Sequence, residues 1–359
     1  MKIIEHYVLG NYLRNFVLSL LVLIFIYIII NLFDNLGSYL SKNVHFWDII
    51  VYYLYLTPSY TILLIPIASI IGVFFIFGYM TKNRELLALR SNGMDINSLF
   101  FLIIIAGIFI SIFTFVFQET IGVWAQEKLY RHKMEKIDRR QVPVEKQRRN
   151  FFYYGEDNWL YYIKHLNARD STMANVTLWK FGKEQRIEKR IDAVSAHYQG
   201  VWEFMDVTIR KFDTLGNESL ANYDKYPLPE LAEKPEDFLR RIKPVEEMNF
   251  LEIQKFVKRK MRAGENVAKE QVELNYRFSF PVITLILLLI ALPISVVLRR
   301  GGIAVGLGMS IVIAFVYWGL IQSCRAYGYA GEMEPFLAAW LPNFIFIGIG
   351  IFTMAGVRR

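Results

Sequence analysis

Residues 96–118 read INSLFFLIIIAGIFISIFTFVFQ, and the next residue is Glu119. Crossing a hydrocarbon core of about 30 Å takes roughly 20 apolar residues, so this uncharged run of 23 positions is long enough to span a bilayer. At Glu119 the composition reverses. Between residues 119 and 277 lie 30 of the 41 Lys and Arg and 26 of the 33 Asp and Glu, which leaves 11 basic and 7 acidic side chains for the other 200 residues. A water-facing surface needs about 25% charged residues, so those 200 residues cannot be surrounded by water. The 359 residues therefore do not read as two or three soluble domains, the ordinary expectation for this length. They read as an integral membrane protein with one polar insert.

Five more uncharged stretches qualify as spans: residues 15–33, 49–81, 278–298, 301–324 and 335–357. The first is too long for the apolar region of a signal peptide, and no small-x-small cleavage site follows Phe33. The second exceeds what a span needs and contains Pro58 and Pro66. Proline removes a backbone donor and kinks a helix, which predicts a long, bent or tilted helix there. Six spans put both termini on one side. That face carries Lys2, Arg14, Lys82, Arg84, Arg90, Arg299, Arg300, Arg358 and Arg359, while the other, apart from the insert, has only Lys42 and Arg325. The positive-inside rule then makes both termini and the 82–97 and 299–300 connections cytoplasmic and puts the insert outside.

Within the insert, residues 150–163, 173–181 and 201–212 are rich in aromatic and β-branched side chains. The first contains Gly155-Glu156-Asp157-Asn158 between two aromatic runs, the pattern of a hairpin. Residues 201–210 alternate imperfectly, as a half-buried strand would. Short strands separated by turn residues suggest a small antiparallel sandwich or jelly roll. After Pro227 and Pro229 the pattern becomes helical: Asn249 and Glu252 form a plausible capping box, Phe250, Ile253, Phe256, Val257 and Met261 share one face, and Gly264 supplies a stop. A second helical start at Asn266 runs toward the fourth span. The Lys258-Arg259-Lys260 run of this linker can contact acidic lipid or form a solvated face. The resulting plan is spans one to three in 1–118, a β domain in 119–248, an amphipathic helical linker in 249–277 and spans four to six in 278–359.

Several chemistries are absent from the sequence. The one cysteine, Cys324, excludes an intramolecular disulfide framework and a cysteine-based metal cluster, and the five histidines show no pair at helical ligand spacing. No G-x-x-x-x-G-K-[ST] phosphate loop, G-x-S-x-G elbow or H-E-x-x-H helix occurs. The expectation is no catalytic residue, no metal and no cofactor. The net charge of +8 comes from basic residues interleaved with acidic ones, which is not the continuous basic stripe of a nucleic-acid face. The spans hold almost no charge, so they do not resemble the ion pathway of a secondary transporter.

The segment between spans two and three, residues 82–93, is the informative one. Arg84 to Arg90 reads as a short helix closed by Gly93, too charged to enter the bilayer. It can be a rigid lever that carries force from a cytoplasmic partner, or a solvated connector; physics alone leaves both open.

At these residues the chain resembles the LptF/LptG (YjgP/YjgQ) permeases of lipopolysaccharide export. The resemblance runs over nearly the whole chain. It includes Leu63-Leu-Ile-Pro-Ile-Ala-Ser-Ile-Ile-Gly, Arg84-Glu85-Leu86 with Arg90-Ser91-Asn92-Gly93, and Ala196-His-Tyr-Gln-Gly-Val-Trp202. It continues through Glu273-Leu-Asn-Tyr-Arg-Phe-Ser-Phe-Pro281 to Ala339-Trp340-Leu341-Pro342-Asn343. Phe33-Asp34-Asn35-Leu36 is more similar to the LptG branch. The resemblance implies an α-helical polytopic membrane protein of six transmembrane helices with an inserted periplasmic all-β, jellyroll-like domain, in the inner membrane of a Gram-negative bacterium. It implies an ABC transporter permease subunit that extracts lipopolysaccharide, in outer membrane biogenesis. The implied partners are an LptF-like second permease, an LptB-like ATPase dimer that hydrolyses ATP, and LptC/LptA-like jellyroll partners. It makes 82–93 the coupling helix, with Glu85 docking into the ATPase and Arg84, Arg90 and Gly93 in the same element. The LptG branch often has a phosphate-meeting lysine at the outer end of span one; here that position is Asn31, leaving Lys42 and Arg325 as outer-edge cations.

Extracting a multi-acyl lipid exposes many methylenes, each worth about 0.8 kcal/mol. An apolar cavity opening sideways to lipid avoids that exposure. Spans one and five, helped by two, are expected to line it, with Asn31, Leu32, Phe33, Leu64, Ile65, Phe315 and Trp318 as candidate residues. Each of these can equally be plain packing. Gly302, Gly306 and Gly308 would allow close helix approach. The rival readings are a permease for another envelope lipid or lipoprotein, and a non-transporting scaffold that recruits periplasmic partners.

Overall fold

The computed structural model describes residues 2–93, 95–138, 147–155, 157–182, 186–212, 218–239, 243–262, 265–297 and 302–357. Among the described residues, six helices are long and apolar enough to cross a membrane. They are α1 (Lys2–Ser41), α2 (Phe46–Lys82), a composite third helix, α7 (Ala268–Val297), α8 (Gly302–Ala330) and α9 (Pro335–Val357), and the short helix α3 (Glu85–Ser91) lies between α2 and the third. The third begins as α4 (Ile96–Phe117), capped by the Asp95 carboxylate accepting from the Asn97 amide at 3.0 Å. It passes through a π-helical turn (Gln118–Gly122) into α5 (Val123–His132) and a second π turn (Lys133–Ile137). The domain boundary expected at residue 118 thus falls inside a continuous helix. The onset of charge marks where the chain leaves the apolar phase, not where its backbone hydrogen bonding ends.

Contacts divide the chain into two compact units, Met1–Arg139 with Val245–Phe250 and Ala268–Arg359, and Arg140–Pro244 with Leu251–Val267. The helical unit is built around α2 and α7, whose most apolar windows are 67% and 78% buried, against 6% for α1 and 28% for α8. The α2 helix continues through Pro58 and Pro66. Helices in lipid gain little from hydrophobic burial and associate by close van der Waals fit, and glycines at several helix contacts provide it, Gly107 and Gly306 among them. A Cβ on Gly107 would lie 2.5 Å from Leu288, and one on Gly306 would lie 2.8 Å from Phe74. Gly308 has open space around it, and Gly302 opens α8. Polar ties add register: Ser111 donates to the Pro281 carbonyl at 2.7 Å, and Asn343 donates to the Ser279 carbonyl at 3.0 Å while accepting from the Tyr317 hydroxyl.

The other unit holds one six-stranded antiparallel sheet in the order β1-β2-β3-β4-β5-β6. The strands are β1 (Gln147–Tyr154), β2 (Trp159–Asn167), β3 (Thr172–Phe181), β4 (Ile187–Tyr198), β5 (Trp202–Phe212) and β6 (Glu218–Leu228). The hairpin around Gly155–Asn158, the third strand and the Val201 strand occur where the sequence predicted them. Its inward face carries Phe151, Tyr161, Ile163, Leu166, Leu178, Ile191, Trp202 and Phe204, closed over by Leu231 and Phe238. Buried Glu233 fixes that closure, accepting from the Tyr161 hydroxyl at 2.6 Å through its carboxylate and from the Trp202 indole at 2.7 Å through its carbonyl.

One transverse row explains the imperfect alternation. The strand registers align Asn150, Lys164, Asn175, Val194, Asp206 and Asp224 across all six strands, and every one of them is exposed. Asn150, Asn175 and Asp206, on alternate strands, have φ of 49°, 50° and 52°. A left-handed residue reverses which way the following side chains point, and Asn and Asp tolerate that conformation best. Buried positions on β5 accordingly run Trp202, Phe204, then Val207, Ile209, two apart on each side of the row and three apart across it.

Beyond the sheet, α6 (Phe250–Arg262) buries Ile253 and Val257 and exposes Leu251 and Met261. At its start the Phe250 amide donates to the Glu119 carboxylate at 2.6 Å. Gly264, the expected stop, and Arg299, Arg300, Arg358 and Arg359 lie outside the described residues.

Candidate coupling element and lipid-facing surfaces

The 82–93 connection forms a short, defined element. Arg84 sits in the left-handed region (φ 60°) and turns the chain so that α3 begins at Glu85. Leu86 is buried in the core cluster of the helical unit, with Leu89 packed against it, so α3 is anchored through one face. Glu85 is half-buried, accepting from the Tyr7 hydroxyl at 3.4 Å and from the Asn83 amide at 3.3 Å. Arg90 and Leu87 point outward. Gly93 closes the element at φ +74° with its amide donating to the Arg90 carbonyl at 3.0 Å. The expected residues are brought together, and the structure adds Tyr7, a partner from α1 that nothing in the 82–93 segment could indicate.

The candidate cavity residues separate into two groups. Phe33 and Phe315 are 69% and 73% exposed on α1 and α8. They continue apolar faces formed by Leu18, Leu21, Val22 and Phe25 on one helix and Ile311, Val312 and Val316 on the other. Leu64 and Ile65 are buried in α2, and Ile65 belongs to the core cluster. Asn31 and Leu32 lie in a tyrosine-rich cluster of α1 and α2. The Asn31 amide oxygen accepts from Tyr53 at 3.1 Å, its nitrogen donates to Tyr60 at 3.5 Å, and Leu32 packs against the buried cluster that contains Tyr39, Tyr53 and Leu56. Trp318 lines a cleft of about 400 Å³ bounded by residues of α2, the π turn, α5, α7 and α8.

Both outer-edge cations are already paired. Lys42 donates to Asp138 at 2.6 Å. Arg325 pairs with Glu273, bonds the Tyr329 hydroxyl and the Gln322 side chain at 3.1 Å each, and lies 4.2 Å over the Tyr276 ring. A third ion pair, Arg277 to Glu119 at 2.8 Å, has side chains only 8% and 15% exposed. Arg277 also donates to the main-chain carbonyls of Val245 and Met248. This pair was readable in hindsight: Glu119 is the first charge after the third apolar stretch and Arg277 the last before the fourth. It ties together the two points where the chain leaves and re-enters the apolar body.

A helical membrane body whose outer helices turn apolar faces outward, interrupted once by an antiparallel β unit, defines a multi-pass membrane protein. The family model described as the lipopolysaccharide export system permease LptF/LptG matches residues 6–355, and the chain belongs to that family. No curated protein matches it.

Proposed function

We propose that this chain is the LptG-branch permease subunit of an ABC transporter that extracts lipopolysaccharide from the outer leaflet of the inner membrane. A separate LptB-like ATPase dimer drives it, an LptF-like permease completes the cavity, and the lipid passes to LptC/LptA-like jellyroll partners. The observation that carries this reading, with family membership, is the bare apolar face of α1. Its most apolar window is 6% buried, and it bears outward-facing Phe33 near the insert-side end. Such a face is suited to a lipid or a second permease. The positive-inside bias supports cytoplasmic termini and a periplasmic β domain.

In this mechanism α3 is the lever. Anchored by Leu86, it transmits motion at Glu85 and Arg90 into the core through α2. Movement of α1 and α8 opens and closes the lateral cavity, and closure displaces the lipid toward the sheet, whose edge strands can pair with a matching sheet. Lys42 and Arg325 become available to lipid phosphates only when their carboxylate partners release them. The test is Glu85→Ala in the assembled complex. It should abolish stimulation of, or co-purification with, the ATPase while membrane insertion and thermal midpoint stay near wild type; unchanged coupling removes the role given to α3.

A further inference from the structure

The cleft lined by Trp318 is separate from the lateral face of α1 and has its own chemistry. Its walls are apolar: Ile62 and Leu63 of α2, Val123 of α5, and Tyr276 and Phe280 of α7. Its polar end holds Gln118, Glu246, Glu273, Arg277 and Arg325. Gln118 lies in the π-helical turn, where the backbone widens, and such turns recur at functional sites.

Two features set what this end can bind. First, the guanidiniums are committed, Arg277 to Glu119 and two main-chain carbonyls, Arg325 to Glu273, Gln322 and Tyr329. With Glu246 added, these three carboxylates, Glu119 counted as the partner of Arg277, outnumber the two guanidiniums, so the site offers no surplus positive charge to a net anionic headgroup. Second, the Gln118 side-chain oxygen is buried without a hydrogen-bond partner. A buried acceptor left unpaired is costly, and this one borders a cleft with room for a ligand. The missing complement is a hydrogen-bond donor, and the surplus carboxylate favours a cationic one.

We infer that this cleft is a binding site for a membrane phospholipid with an ammonium headgroup, its N–H groups donating to Gln118 and Glu246 and the first part of an acyl chain lying along Ile62, Leu63, Phe280 and Trp318. The lipid is a resident ligand at the insert-side end of α7, not the exported cargo. The inference does not depend on the transport reading.

The experiment is quenching of tryptophan fluorescence in nanodiscs by phospholipids brominated on the acyl chain, comparing phosphatidylethanolamine, phosphatidylcholine and phosphatidylglycerol. The Trp318 component is taken as the difference from Trp318→Phe. Phosphatidylethanolamine should quench it with about tenfold preference over the other two, the ratio that one charge-assisted hydrogen bond confers. Glu246→Gln and Gln118→Leu should each reduce that preference; Glu246 is exposed, so its variant tests the site without disturbing the fold. Equal quenching by phosphatidylethanolamine and phosphatidylcholine, which has the cation but no N–H, would overturn the donor assignment. Quenching led by phosphatidylglycerol would overturn the charge argument, and quenching that merely follows bulk lipid composition would overturn the site.

Discussion

The Glu119–Arg277 pair is a largely buried ion pair within the helical unit, with side chains 15% and 8% exposed. Removing one partner of a buried ion pair leaves an uncompensated charge and costs about 3–5 kcal/mol. Glu119→Gln should therefore lower the thermal midpoint of the detergent-solubilised protein more than Lys42→Gln does, because Lys42 and Asp138 are more exposed, at 42% and 18%. Equal shifts would mean the pair is no more than a surface contact. In the β unit, burial and then the neighbouring Glu233 carboxylate push the Tyr161 hydroxyl well above its ordinary value of 10.0. A raised folded value means that its stabilisation is complete below pH 10 and is lost as pH rises beyond it. Hydrogen exchange of β2 should increase in strong alkali, and Tyr161→Phe should flatten that dependence while weakening β2 at neutral pH.

At the scale of elements, the transverse row across the sheet and the α2–α8 contact make separate predictions. Asn175 is exposed, at φ 50°, where a β-branched residue pays a conformational penalty of about 1–2 kcal/mol. Asn175→Val should raise hydrogen exchange of β3 and its neighbours, and Asn175→Gly should leave it near wild type. Gly306→Leu would drive a side chain into Phe74 and should prevent α8 from seating on α2, seen as loss of a disulfide engineered between the two helices. What the sequence disclosed at this scale follows from physics. Uncharged runs have no alternative to the bilayer, so all six spans were legible. Strands β1, β2, β3 and β5 fall in runs rich in aromatic and β-branched residues, so they were legible too. Strand β4 buries only Ile191, Ala193 and Ala196 among charged neighbours, and edge strand β6 buries only Leu228, so neither had an apolar signature. The helical run from Gln118 to Ile137 was hidden by its charge. The coupling residues were visible as a local pattern, but Tyr7 and the partners of Lys42 and Arg325 come from distant segments.

For the whole molecule, the distribution of burial is the telling property. The helices α2 and α7 are enclosed, and α1 leaves Leu18, Leu21, Val22, Phe25 and Phe33 outward. A single permease with one face so bare is half of a cavity in the proposed account. Native mass measurement of the complex released from its own membrane should therefore find this chain with a second permease and two ATPase subunits; a lone monomer would favour the scaffold reading. The most direct measurement is site-specific photocrosslinking in that native membrane, with a photoreactive phenylalanine analogue replacing Phe33. The account predicts lipopolysaccharide adducts whose yield changes when ATP is hydrolysed. Adducts formed only with phospholipid, indifferent to ATP, would contradict it.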